Sequence, residues 1–381
     1  MRARRKILQS IFGAATCGAG RFVRMASALA PVLFVATGLL LGPALPAHAA
    51  DACPPHRAGL PDAERKYHPG HYVSIGRAHL RKGVDTALGE GVRRLQLRYR
   101  WADLETQQDQ YDFSAIERDL AAVARANLQL VVMIEDKSFQ NESPLPAYLH
   151  ERYGVESGRG YMAKRWDPYV VERMSKLVQA FGRRFDCNPN LEGVAFQETA
   201  IGLDPAQRRQ HGYTPEKYRD ALLTTLRNAT VSLPRSRVFW YMNFLPAKQD
   251  YIADIASEVA GTGVVMGGPD ILPDNQALKH RVYPFYEEFR GRMKLFGSMQ
   301  NDSYRHPRGG GKVTGKNAPV QGGMAEAGPQ GYWSMEELYA FARDRLRLNY
   351  IFWTYRPNSQ PPGSHDWSDA REVIARHPTL S

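Results

Sequence analysis

Three cysteines in 381 residues are too few for a scaffold held together by disulfides. No Gly-x-Gly-x-x-Gly turn occurs, which argues against a dinucleotide-binding sheet. No Gly-x-Ser-x-Gly elbow is present to carry a serine nucleophile. No His-x-His pair lies on the first strand-like run. His68 and His71 are split by Pro69-Gly70 and have no carboxylate at ligand spacing, so both read as surface histidines. No metal and no other cofactor is implied. Beyond residue 49 no apolar run is long enough to span a bilayer, so no stable membrane anchor is expected. A dense basic patch is also missing. Six basic and no acidic residues precede position 50, which leaves +5 of the net +11 on the rest of the chain. That balance gives no case for a nucleic-acid partner.

The first 49 residues do have a pattern. Arg2, Arg4, Arg5, Lys6, Arg21 and Arg24 form a basic region, residues 28–41 are apolar, and Ala47-His48-Ala49 offers a small-x-small cleavage site. This is the layout of a secretory signal peptide. Residues 50–381 are then expected to form one exported domain, periplasmic or secreted. Cys53 and Cys187 remain as an even pair, expected to form a disulfide, with two free thiols as the alternative.

Along the rest of the chain, strand-like and helix-like segments alternate. Strand candidates fall at 71–75, 93–99, 128–134, 193–196, 238–242, 263–266, 294–299 and 350–354. Helix starts are marked by Ser114 with Glu117, Asp167-Pro168, Thr214-Pro215 and Ser334 with Glu337. Eight strands alternating with helices predict a parallel α/β sheet, and the count favours a single closed (β/α)8 TIM barrel. Residues 305–330, with Gly309-Gly310-Gly311, read as a mobile loop over the mouth.

The most informative run is 191–198. A buried strand ends at Gln197-Glu198, followed by a loop with Gly202 and Pro205. A carboxylate at the tip of a parallel barrel strand faces the crevice where such folds do chemistry, and it suits a general acid or base. A capping or salt-bridged loop glutamate is the plainer reading.

The stretch Arg98-Tyr-Arg-Trp101-Ala-Asp-Leu-Glu105, followed by Tyr111-Asp-Phe113, resembles the retaining glycoside hydrolases with (β/α)8 barrels. Trp166-Asp-Pro168 and Trp353 near the end of the eighth strand are similar too. The resemblance implies that Glu198 is the acid/base, with Gln197 in place of an asparagine. It also implies a nucleophilic glutamate at the end of strand seven, and here that place is held by Gln300. Asp302 is the nearest carboxylate and is taken as the second catalytic group. Asp270 and Glu326 are its rivals, and Glu135 and Asp136 are further candidates.

A sugar site needs aromatic faces and planar hydrogen-bonding groups. Trp101, Trp353, Tyr241, Tyr304, Arg98, Gln197, Asn243 and Gln300 all fall at predicted strand ends, and Asp270 joins them as a substrate contact. Each alone reads equally as a core or rim residue. The expected activity is hydrolysis of glycosidic bonds in a poly- or oligosaccharide. A barrel that binds sugar without cleaving it is one alternative. A polysaccharide lyase with Glu198 as base and Tyr304 as acid is the other.

Overall fold

Each of the eight apolar runs forms a strand: β1 Gly70–Ile75, β2 Arg94–Arg100, β3 Gln129–Glu135, β4 Leu191–Phe196, β5 Arg237–Tyr241, β6 Val264–Gly268, β7 Lys294–Met299 and β8 Tyr350–Thr354. All neighbours pair in parallel, and β1 pairs with β8 to close the ring. The protein is a (β/α)8 barrel, as the alternation predicts. The structure is a computed structural model that describes residues 61–75, 94–158, 160–309 and 331–380. The leader-like residues 1–49, Cys53, Glu326 and most of the 305–330 loop lie outside these. The expected Cys53–Cys187 bridge and the expected loop mobility therefore fall outside the described residues.

Successive side chains of a strand point to opposite faces, and this sorts the core. On β8, Tyr350 and Phe352 point into the barrel, where they meet Tyr72, Val131, Phe239 and Phe296. Ile351 and Trp353 point outward and join the layer beneath the helices. Near the upper ends of the strands a polar string crosses the interior. Ser74 Oγ donates to Gln96 Oε1 at 2.9 Å, Gln96 Nε2 to Tyr241 Oη at 2.8 Å, and Ser298 Oγ to the same oxygen at 3.1 Å.

All four expected helices are present, and three of them carry the expected cap. Asp167 accepts from Tyr169 N at the head of Pro168–Phe185. Thr214 accepts from Lys217 N at the head of Pro215–Ser232. Ser334 and Glu337 form a reciprocal capping box on Met335–Ala340. The fourth needs correction. Ser114 already lies inside the helix Ser114–Arg125, and its N–H goes to Asp112 Oδ1 at 2.9 Å. Glu117 instead pairs with Arg184.

Two antiparallel hairpins in the loops after β2 and β3 were not expected: Glu105–Gln107 with Gln110–Tyr111, and Gly154–Ser157 with Gly160–Ala163. At the opposite end the arm before β1 closes the barrel floor. Lys66 Nζ donates to the carbonyls of Asp186 at 2.8 Å and Asn188 at 2.7 Å. Of the two histidines only His71 departs from the surface reading, since the His68 side chain stays 41% exposed. His68 Nδ1 meets the buried Glu192 carboxylate at 2.6 Å, and His71 is itself buried. Among the described residues no helix is long and apolar enough to cross a membrane.

Candidate active site

Glu198 stands one residue past the inward-facing Gln197 at the end of β4, and its surroundings come from three neighbouring strands. Gln197 is buried, and its Oε1 accepts from the backbone N–H of Asp136 at 2.9 Å and of Lys137 at 2.7 Å. The exit of β3 is thereby fixed against the exit of β4. From there Lys137 extends its ammonium to Glu198 Oε1 at 2.9 Å and to the Ala200 carbonyl at 2.8 Å. From β5, Asn243 Nδ2 donates to Glu198 Oε2 at 2.7 Å. Arg165 grips the Asp136 carboxylate with two hydrogen bonds, at 2.6 and 2.5 Å, and donates to the Glu198 carbonyl at 2.5 Å. Thr199 Oγ1 accepts from Asn243 N at 2.8 Å. Gly202, with φ +67°, turns the following loop where an added Cβ would meet Ser157 Oγ at 2.7 Å.

Glu198 therefore has both oxygens occupied by donors and its backbone anchored, while its side chain keeps 19% of its surface open. That is a rigid carboxylate with access to the mouth.

Asp270 lies two residues past the end of β6 and is partly buried. Burial first, and then the neighbouring charges of Glu198 and Asp302, push its carboxyl up to about 8. Glu135 at the end of β3 is also raised by burial, opposed by Arg98 at 3.5 Å. Asp302 sits on the rim. Its side chain is 57% exposed and pairs with Arg305 at 2.7 Å. Gln300 is at the inward-facing position after β7, and among the described residues its side chain makes no hydrogen bond.

Four expected substrate contacts are corrected by strand parity and burial. Trp353 faces outward from β8 and gives its indole N–H to His71. Trp101 is buried, donating to Glu105 Oε2 at 2.8 Å, and Glu105 in turn is ion-paired with the buried Arg173. Tyr241 is enclosed in the barrel by Gln96 and Ser298. Tyr304 is buried, and its hydroxyl donates to the Thr354 carbonyl at 2.8 Å, which also removes it as a lyase acid. Gln197 and Asn243 are in the site, but there they hold other residues. Arg98, Asp270 and Gln300 stand at the mouth.

Lys137 and Arg165 are the two site residues that the sequence reading missed. Lys137 was findable, since it follows Glu135-Asp136 at the tip of the strand beside β4. Arg165 comes from a loop 33 residues before Glu198 and carries no local signal. Phe139, two residues past Lys137, is 43% exposed, with the Lys137 ammonium 4.7 Å from its ring centre.

A cavity of about 970 Å³ lies between the helices Pro168–Phe185 and Pro215–Ser232. None of the mouth carboxylates lines it. Among the described residues no group of three His, Cys, Asp or Glu is placed to hold a metal ion.

No family model and no curated protein sequence matches this chain. Solved structures do. The catalytic domain of a β-amylase from Paenibacillus polymyxa is similar over 82% of this chain and 99% of its own, with a TM-score of 0.51 and 11% identity. A GH5_18 protein from Streptomyces cattleya, solved in complex with GlcNAc, is similar over 81% of this chain and 80% of its own, with a TM-score of 0.52 and 13% identity. A β-galactosidase from the psychrophilic Marinomonas ef1 covers 80% of this chain and 58% of its own, with a TM-score of 0.51 and 8% identity. At such identities the likeness shows a shared barrel.

Proposed function

We propose that this protein hydrolyses glycosidic bonds of a poly- or oligosaccharide at the barrel mouth, with Glu198 and Asp270 as its two carboxylates. Glycoside cleavage needs one protonated and one ionised carboxyl on either side of the bond. The observation that carries the reading is the opposition of these two groups. Asp270 is held near 8 by burial and by the charge of Glu198, while Glu198 is ion-paired with Lys137. One carboxyl held protonated beside another that is ion-paired is the usual mark of an acid/base division of labour. Asp302, more exposed and paired with Arg305, is better suited to tuning Asp270 from the rim.

The solved barrels of similar shape named above include a β-amylase and a β-galactosidase, which supports a carbohydrate substrate. The exposed ring of Phe139 offers the aromatic face that Trp101 and Trp353 do not. The leader-like residues 1–49 support action outside the cytoplasm.

Purified protein tested on a panel of polysaccharides and oligosaccharides should release reducing sugar, and Glu198→Gln should abolish that release while keeping ligand binding. A wild type that binds oligosaccharide without cleaving it would establish the sugar-binding alternative, which Gln300 at the place of the strand-seven glutamate favours.

A further inference from the structure

Roles within the carboxylate pair can be read from which partners each has. Lys137 Nζ is a donor with no acceptor capacity, and it meets Glu198 Oε1 at 2.9 Å. The Asn243 amide presents N–H to Glu198 Oε2 at 2.7 Å. Both oxygens thus accept from donors, the arrangement that hydrogen-bonds an ionised carboxylate and leaves no acceptor facing a proton on Glu198. A general acid must hold its proton until the leaving oxygen takes it. Asp270 has the opposite setting. No described residue forms an ion pair with its carboxyl, and the charges that act on it are the carboxylates Glu198 and Asp302.

We infer that Glu198 is the ionised, proton-accepting catalytic residue, that Asp270 delivers the proton to the leaving oxygen, and that Lys137 is the positioning residue that keeps Glu198 in its accepting state. This reverses the role that the resemblance implies for Glu198, and it rests on the glycosidase reading above. In the step itself a water oxygen bonds to the anomeric carbon while Glu198 takes a proton from that water. The bond from the anomeric carbon to the leaving oxygen breaks, and that oxygen takes the proton of Asp270. Glu198 is left protonated and Asp270 ionised. Exchange with solvent returns both to their starting states, so atoms and charge balance. Lys137 also spans from Glu198 to the Ala200 carbonyl, which keeps the ammonium in place through the cycle.

Two measurements test the assignment. The first needs no substrate. Carbon-13 NMR of the full chain with labelled carboxyls, compared with Asp270→Asn and Glu198→Gln, identifies each resonance by its loss. At pH 7 the Asp270 signal should be that of a protonated carboxyl and the Glu198 signal that of a carboxylate. The reverse pattern, or two carboxylates, would overturn the assignment whatever the enzyme acts on. The second compares an oligosaccharide that the wild type cleaves with the 2,4-dinitrophenyl glycoside of the same sugar, whose leaving group needs no proton. Asp270→Asn should slow the oligosaccharide by about 10²–10⁴-fold and the activated glycoside by less than about tenfold. Glu198→Gln should lose both. If Glu198→Gln spares the activated glycoside and Asp270→Asn does not, the roles are the other way round. Equal loss on both substrates in both variants would remove the division of labour altogether.

Lys137→Gln should lower kcat on the oligosaccharide and on the activated glycoside alike with KM little changed, and Lys137→Arg should restore it in part. A purely structural lysine would lower Tm and leave the kcat of the folded protein where it is. A wild type inert on the whole panel defeats the glycosidase reading, and the NMR result stands apart from that outcome.

Discussion

The indole N–H of Trp353 donates to His71 Nδ1 at 3.0 Å, and His71 Nε2 lies 2.7 Å from the carbonyl oxygen of His377. A carbonyl only accepts, so Nε2 carries the ring hydrogen and Nδ1 is left to receive the indole. The contact ties β1 to β8, where the barrel closes, and links both to the end of the chain. Burial pushes the His71 imidazole down to about 4. In the unfolded chain it takes a proton near 6.5. The stability this ring contributes is therefore complete above about 6.5 and is lost as pH falls towards 4. Each tenfold drop in proton affinity on folding corresponds to about 1.4 kcal/mol, so the drop from 6.5 to about 4 amounts to roughly 3–4 kcal/mol. Thermal melts should show Tm falling across that window in the wild type. A His71→Gln variant should start lower at pH 7.5 and lose that part of the slope. Parallel slopes in the two proteins would mean that His71 is protonated in the fold.

Trp101 and Glu105 form the other pair that the family-like motif conceals. Trp101 Nε1 donates to Glu105 Oε2, and the buried Arg173 binds the same carboxylate while reaching Asp109 at 2.8 Å and Tyr148 Oη at 3.0 Å. Arg173→Met should leave Glu105 as a buried charge without its counter-ion and cost about 3–5 kcal/mol in denaturant melts. Glycosidase activity of the folded variant, measured at low temperature, should keep its KM. A large rise in KM with an unchanged Tm would mean that this knot contacts substrate after all.

These two pairs show what was legible in the sequence and what was not. Strand positions, barrel closure and three helix caps follow from local patterns of period two and from Asp, Thr and Ser at helix heads, so they could be read. The tip of β4 was legible too, because Glu198 ends an apolar run. The faces of Trp101 and Trp353 were not. One residue of register decides whether a tryptophan at a strand end enters the mouth or the helix layer, and sequence marks strand ends only to within a residue or two. Lys137, Arg165 and the Asp270 environment depend on loops brought together by barrel closure, over separations of 29 to 61 residues for the contacts of Arg165 with Asp136 and of Lys137 with Glu198.

Phe139 stands exposed beside Lys137. An aromatic face at the mouth stacks a sugar ring in the ground state and in the transition state alike, and such uniform binding appears in KM. Phe139→Ala should raise KM by roughly tenfold, about 1.4 kcal/mol, with kcat within about twofold. An unchanged KM across the oligosaccharides cleaved would place the sugar elsewhere on the rim.

In the proposed site Asp302 acts through its charge. It pairs with Arg305 on the rim and is among the charges that hold Asp270 up. Asp302→Asn should keep turnover within about tenfold of wild type, far short of the several powers of ten lost with a catalytic carboxylate. Losing a negative neighbour eases ionisation of Asp270, so the basic limb of kcat/KM should move to lower pH. A dead Asp302→Asn protein with an intact fold would make Asp302 a member of the reacting pair.

Asp270 couples activity to stability through one proton. Folded, it holds that proton up to about 8, because burial and the charges of Glu198 and Asp302 oppose ionisation. Unfolded, it releases it near 3.9. Between those values the folded state binds the extra proton, so this residue's contribution to stability falls as pH rises from about 4 to 8. In the proposed mechanism that proton is the one delivered to the leaving oxygen, so kcat/KM should fall on the basic side with a midpoint near 8. Asp270→Asn removes both effects. Its Tm should sit above that of the wild type at pH 8.5 and close to it at pH 4.5, while hydrolysis of unactivated substrate is lost. A variant less stable than the wild type at both values would show that the Asp270 carboxyl supports the fold, and that its surroundings were not arranged at the expense of stability to keep a proton in the mouth.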